Sequence, residues 1–176
     1  MTEVTSLRVG LIGVGGVCNA VHYPGLSRIA GVEIAALCDP DTDLLEHRHH
    51  EWGVQTTTPD VDEFLGHGLD AVVIATPNSL HRGLIQRALS AGCHVLCEKP
   101  LGMDLAETIS IYQTAAASGK RHMTAFTYRF VPAMAYLKHL VDTGVLGTIR
   151  HARVQRLQDW GENAIGWRQY RAQAGL

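Results

Sequence analysis

The sequence predicts a doubly wound α/β fold, and three observations carry that reading. Apolar runs of strand length alternate with segments of helical period; several of these runs are apolar at every position; and the first ends in a glycine-rich turn. Strands apolar on both faces belong in a parallel sheet covered by helices on either side. Leu7 to Ile12, Val32 to Cys38, Leu69 to Ala75, Cys93 to Cys97 and His122 to Phe126 read as such strands, with Gly53 to Thr57 a weaker one. Repetition of strand and helix through residue 126, with right-handed crossovers, gives the doubly wound arrangement.

The helices follow from caps and stripes. Asp104 with Glu107 forms a capping pair, Leu105, Ile109, Tyr112 and Ala116 form an apolar stripe expected to face the core, and Gly119 is the stop. Ser79 to Gly92 carries Leu80, Leu84, Ala88 and Ala91 on one side. Pro24 is placed to bend or restart the first helix near His22-Tyr23, because proline donates nothing to the carbonyl four residues back. Beyond residue 126 the pattern changes: Pro132 starts a helix striped by Met134, Leu137 and Val141, Gly144 stops it, and Thr148 to Leu157 alternates like a half-exposed strand. The division expected is a dinucleotide-binding domain over 1-126 and the incomplete start of a second domain over 127-176.

Composition excludes several classes. The 176 residues include 46% hydrophobic and 18% charged, with a formal net charge of -2, the balance of an ordinary water-soluble chain with no polyanion partner such as nucleic acid. No apolar run approaches the ~20 residues of a membrane span, and no leader is evident, so the cytoplasm is expected. Cys18, Cys38, Cys93 and Cys97 lie inside apolar stretches without zinc or redox spacing and read as small buried hydrophobes. His47, His49, His50 and Glu51 could be drawn as a metal site, but adjacent imidazoles point to different sides of a helix. A solvated face is the better reading, and no metal is expected.

The chemistry gathers where strands end. In GVGGVCN, Gly13 and Gly15 occupy the first two positions of a dinucleotide fingerprint and Gly16 and Val17 lead into the helix, whose amides can hold phosphate. The third fingerprint position falls on Cys18, bulkier than the glycine that lets helix and strand pack closely. Asp39 ends the second strand 21 residues beyond Cys18, placed to accept both adenosine ribose hydroxyls and to repel a 2'-phosphate. Pro40 and Asp41 follow where a basic residue would serve NADP, so NAD is favoured; Asp39 as a helix cap is the plainer alternative.

Ligands of such sheets bind beyond the carboxyl ends of the strands. Thr76-Pro77-Asn78 and Glu98-Lys99-Pro100 end two strands on that edge and should converge with the glycine turn on one cleft. Pro100 stiffens the turn so that Lys99 points in a fixed direction. Free lysine is too basic to accept a proton at neutral pH, but burial and a nicotinamide cation both disfavour its charged form, making it a general base on a hydroxyl or an acid on a carbonyl. The alternative is a surface ion pair closing a loop.

The set GVGGVCN, CDPD, ATPNSLH, CEKPLGMD and YRFVPA, in this order and spacing, resembles the glucose-fructose oxidoreductase, inositol dehydrogenase and MocA family of NAD(P)-dependent oxidoreductases. The resemblance implies a Rossmann domain followed by an α/β domain on an open, mostly antiparallel sheet used for homo-oligomer contacts. It implies that Lys99 assists proton transfer on the substrate, that Glu98 lies near the nicotinamide ribose, and that Thr76, Pro77, Asn78 and His81 line the cofactor. It implies that Tyr128 and Arg129 enter the second domain beside substrate and nicotinamide, and that Trp167 and Arg168 approach the cofactor. Arg129 paired with a carboxylate and Trp167 in a core are the structural alternatives. Relatives of this kind are roughly twice as long, so the sequence reads as an N-terminal portion. The function expected is hydride transfer between NAD and a secondary alcohol of a sugar or cyclitol. A non-catalytic dinucleotide-binding module is the competing reading; a methyltransferase using S-adenosylmethionine gives Glu98-Lys99-Pro100 no role.

Overall fold

A computed structural model describes residues 6–157 and 166–175. The chain divides into two units, Met1–Ala125 with Trp167–Leu176, and Phe126–Gly166. In the first unit the elements run β1 (Leu7–Ile12), α1 (Tyr23–Leu26), β2 (Val32–Cys38), α2 (Thr42–Trp52), β3 (Thr57–Thr58), α3 (Val61–Leu65) and β4 (Ala71–Ile74). They continue through α4 (His81–Ser90), β5 (His94–Cys97), α5 (Leu105–Ala117) and β6 (His122–Thr124). The six strands form one sheet in the order β3-β2-β1-β4-β5-β6. All pairings are parallel. Strand order reverses between β1 and β4, which places the ligand crevice at the carboxyl ends of those two strands.

The core lies on both faces of the sheet. Ile12, Val72, Ile74, Val95 and Phe64 pack on one side with Ile85 and Ala88 of α4 and Ile111 and Ala115 of α5. Val9, Leu11, Leu37 and Val73 pack on the other with Leu45 of α2 and Val54. Successive strand residues thus enter opposite layers, so a parallel sheet covered on both faces needs unbroken apolar strands. Gly10 leaves room for a neighbour: a Cβ there would overlap the Phe64 ring and sit 2.5 Å from Leu69 Cδ1. The four cysteines are buried and unpaired. Burial pushes the thiols of Cys18 and Cys38 up to about 12 and raises those of Cys93 and Cys97.

The helix ends follow local chemistry. Asp41, Asp60 and Asp104 cap α2, α3 and α5, each accepting backbone N–H groups of the first turn. Glu107 completes the last of these caps differently from a reciprocal box, accepting from Met103 N at 2.6 Å. Ahead of Pro24 the chain makes a π-helical turn, Cys18–His22, and α1 then restarts with the proline in its first turn.

Two expectations fail. The stripe Leu105, Ile109 and Tyr112 of α5 faces outward, with Leu105 75% exposed, while Ile111 and Ala115 face the sheet. Apolar residues occupy two faces of this helix, and periodicity marks a face without saying which is inside. In the second unit, the 3-10 turn Thr127–Phe130 precedes α6 (Pro132–Asp142), which starts at its proline as expected. Residues 148–157, read as a strand, form no strand and are exposed throughout. Alternation supplies a face, but a strand also needs a partner for its N–H and C=O groups, and the described residues supply none. Among the described residues no helix is long and apolar enough to cross a membrane.

Gly10→Ala is expected to lower stability by about 1–3 kcal/mol through overpacking against Phe64. The urea midpoint should fall with an unchanged slope; a midpoint equal to wild type would show that the Phe64 side of β1 has room to spare.

Candidate functional site

The glycine turn begins as β1 ends. Gly13 has φ +84°, and its amide donates to Cys38 O at 2.8 Å. A Cβ on Gly13 would lie 2.7 Å from Ala75 O, so only glycine lets the turn sit against the end of β4. Gly15 and Gly16 face open space, with no atom within 4 Å of where a Cβ would be. Val17 leads into the π-helical turn, and Cys18, 1% exposed, fills the layer between helix and sheet with Val9, Leu11 and Val14.

Asp39 closes onto this turn. Its Oδ2 accepts from Val14 N at 2.9 Å and its Oδ1 from Asp41 N at 3.0 Å. A carboxylate accepts at about four lone-pair sites, so it retains capacity for ribose hydroxyls. The cap of α2 is the neighbouring Asp41, so Asp39 is not serving that purpose. Behind the turn Arg48 Nε donates to Val14 O at 3.2 Å, pairs with Glu51, and lies over the Trp52 ring, which stacks on Tyr23. Arg48 is thus engaged as a brace for the loop.

Thr76, Pro77 and Asn78 follow β4. Asn78 is buried; its Nδ2 donates to Ala174 O at 2.6 Å, while its Oδ1 is buried with no partner among the described residues. The segment Trp167–Gln169 and α7 (Arg171–Ala174) supply that carbonyl, and Arg168 lies over the Trp167 ring at 4.4 Å. His81 is completely buried, with Nδ1 2.9 Å from Pro100 O and Nε2 3.1 Å from Thr76 O.

Glu98 and Lys99 follow β5. Glu98 Oε1 lies 2.9 Å from His22 Nε2, in a pair whose side chains are 12% and 6% exposed, and its Oε2 accepts from Lys99 N at 3.2 Å. Burial alone would raise the Glu98 carboxyl. The hydrogen bond and charge of His22, with the amide and ammonium of Lys99, outweigh that cost and hold it below its ordinary value. Lys99 itself is exposed, so the burial expected of it is not found. Its backbone is fixed while its amine reaches outward, because the turn is anchored through the residues on either side.

His22 and Arg48 were missed by sequence reasoning. His22 drew notice only as the place where Pro24 breaks the helix, yet the same π-helical turn carries its ring onto Glu98. Such turns inside helices are frequent at functional sites, but this one is visible only in three dimensions. In the second unit, Tyr128 and Arg129 sit on the turn Thr127–Phe130, with Arg129 over the Phe126 ring at 5.9 Å and Arg156 over the Tyr128 ring at 4.4 Å.

A glycine turn open at two residues, an acidic side chain closing on it, and a parallel sheet reversing order beside it define a dinucleotide-binding domain. The chain matches the oxidoreductase family with an NAD-binding Rossmann fold, the Gfo/Idh/MocA family, over residues 7–126, and belongs to it. It is 30% identical over 97% of its length to levoglucosan dehydrogenase of Pseudarthrobacter phenanthrenivorans, and 35% identical over 80% to inositol 2-dehydrogenase 4 of Saccharopolyspora erythraea. The crystal structure of scyllo-inositol dehydrogenase from Lactobacillus casei with bound NAD(H) and scyllo-inositol superposes on 81% of the chain with a TM-score of 0.76 at 30% identity. The chain spans 46%, 42% and 42% of these three proteins, just under half of each.

The Glu98 carboxylate sets a pH dependence. Its folded value is depressed, so its contribution to stability is complete above the ordinary carboxylate value near ~4.3 and is lost as pH falls through the folded one. Urea midpoints measured from roughly pH 5 to 3 should fall less steeply for Glu98→Gln than for wild type. Parallel profiles would mean that the pair with His22 contributes nothing to that slope.

Proposed function

We propose that the chain is the cofactor-binding part of an NAD-dependent dehydrogenase acting on a secondary alcohol of a sugar or cyclitol, with Lys99 carrying the alcohol proton. The observation that bears most on this reading is the Glu98-Lys99 turn, anchored through a buried ion pair on the same sheet edge as the glycine turn. A domain that only binds a dinucleotide has no need of an amine held there.

The residues fit the cofactor. Gly15 and Gly16 leave open the surface over which a pyrophosphate passes, the helix amides beyond them face that surface, and Asp39 is placed to accept the adenosine ribose hydroxyls. A carboxylate there disfavours a 2'-phosphate, and Arg48 is held by Val14, Glu51 and Trp52, which supports NAD over NADP. The buried, unpartnered Oδ1 of Asn78 offers an acceptor on the same edge. When bound, nicotinamide supplies the carbon that gives or takes the hydride.

The chain's own residues handle the proton. The Lys99 amine, exposed at the crevice, accepts the hydroxyl proton as the alcohol is oxidised and returns it to the carbonyl in the reverse direction. A nearby nicotinamide cation would favour the neutral amine. Glu98, hydrogen-bonded through one oxygen to His22 and through the other to the Lys99 amide, holds the turn and sets a negative charge beside the ammonium. Tyr128 contacts substrate, and Arg129, Trp167 and Arg168 border the cofactor in this reading. The sugar or cyclitol class rests on the names of the relatives; assembly into homo-oligomers through the second unit rests on the family resemblance of the sequence motifs.

Lys99→Ala should keep NADH affinity within about threefold of wild type, while turnover on a panel of cyclitols and sugars falls by roughly 10²–10⁴-fold. NADH binding without turnover in either protein would favour a dinucleotide-binding module. Absence of NADH binding by the wild type would contradict the reading altogether.

A further inference from the structure

We propose that His22 and His81 form a two-sided clasp that aims Lys99, and that both are positioning residues of the site. This rests on the reading of Lys99 as the proton carrier. The two rings come from different elements, the π-helical turn after β1 and the first turn of α4, and they grip the residues immediately before and after Lys99. His22 Nε2 meets the Glu98 carboxylate at 2.9 Å, and His81 Nδ1 meets the Pro100 carbonyl at 2.9 Å. Both rings are buried, at 6% and 0% exposure, whereas Lys99 and Pro100 between their attachments are exposed.

Each bond has a direction. A carboxylate and a carbonyl only accept, so at each contact the ring N–H donates. A buried ring N–H that loses its acceptor is costly, so each ring also penalises any movement of residue 98 or 100 away from it. With the N–H on Nδ1, the second nitrogen of His81 has no hydrogen to give Thr76 O, 3.1 Å away, so the ring meets the β4–α4 loop by packing. The glycine-turn helix, the β4–α4 loop and the β5–α5 turn are thereby linked through two side chains. Pro100 restricts one backbone dihedral of the turn. It cannot set where the turn stands relative to the other two loops, and the histidines do.

A misplacement of about 1 Å by a residue remote from the chemistry can cost on the order of 10²-fold in rate, so the clasp predicts an effect on the amine with little effect on binding. The chain contains three lysines, Lys99, Lys120 and Lys138, which makes trace acetylation a direct probe of one amine against two internal standards. The probes are acetic anhydride and NADH, with labelling read by mass spectrometry and NADH affinity by fluorescence on the full chain. In wild type, saturating NADH should slow Lys99 acetylation about fivefold relative to Lys120. His22→Gln and His81→Asn keep a donor near the native Nε2 and Nδ1 positions and should retain most of that protection. His22→Leu and His81→Leu keep bulk without a donor, and protection should fall below about twofold while NADH affinity stays within about threefold.

Should a leucine variant not fold, threonine takes its place, since it is polar but too short to reach the partner. Leucine or threonine variants that bind NADH and protect Lys99 as wild type does would overturn the clasp. So would amide variants that lose protection as fully as leucine. NADH binding by wild type with no protection of Lys99 would overturn the clasp and leave the cofactor reading standing. A wild type that binds no NADH would remove both.

Discussion

The site depends on a close approach that a side chain would forbid. Because Gly13 has no Cβ, the end of β1 turns directly against the carbonyl of Ala75 at the end of β4. That contact sets the glycine turn at the point where the sheet reverses order. It also places Val14 N on the Asp39 carboxylate, and the helical turn that follows carries His22 to Glu98 at the end of β5. A side chain at residue 13 would displace the turn from β4, and the acidic partner, the helix amides and His22 would lose their common frame.

From that frame the electrostatics follow. Glu98 is buried enough that ionisation would be unfavourable alone, and it stays charged because His22 and the Lys99 amide surround it with donors. Removing one partner from such a pair leaves a buried charge uncompensated, which is more costly than the pair is stabilising. The pair therefore contributes geometry more than stability: it fixes the base of the turn that carries Lys99. Asp39 follows the same logic on the other side, its carboxylate oriented by two backbone amides with capacity left for a ligand.

Much of this was legible in the sequence. Five of the six strands fall within the runs read for them, because unbroken apolar strands are what a sheet covered on both faces requires. The caps at Asp104 and the break at Pro24 were legible because they are local chemistry, settled within one turn. What was not legible depends on the partner. The outer face of α5 was read as the inner one because Leu105, Ile109 and Tyr112 match the helical period as well as Ile111 and Ala115 do. Residues 148–157 alternate as a strand does but pair with nothing among the described residues. His22 carries no spacing signal, since its role is created by a π-helical turn and by a carboxylate 76 residues away. His81 was read from resemblance as lining the cofactor, whereas its position, wholly buried between two carbonyls, shows up only in three dimensions.

A crystal structure of the chain with NADH tests the central claim most directly, because it locates every group at once. The account predicts the pyrophosphate over Gly15 and Gly16, the adenosine ribose on Asp39, and the Lys99 amine within hydrogen-bond or one-water reach of the hydroxyl position beside the nicotinamide. Cofactor bound away from the glycine turn would contradict it, as would a Lys99 amine more than ~10 Å from the nicotinamide ring, beyond any direct proton relay.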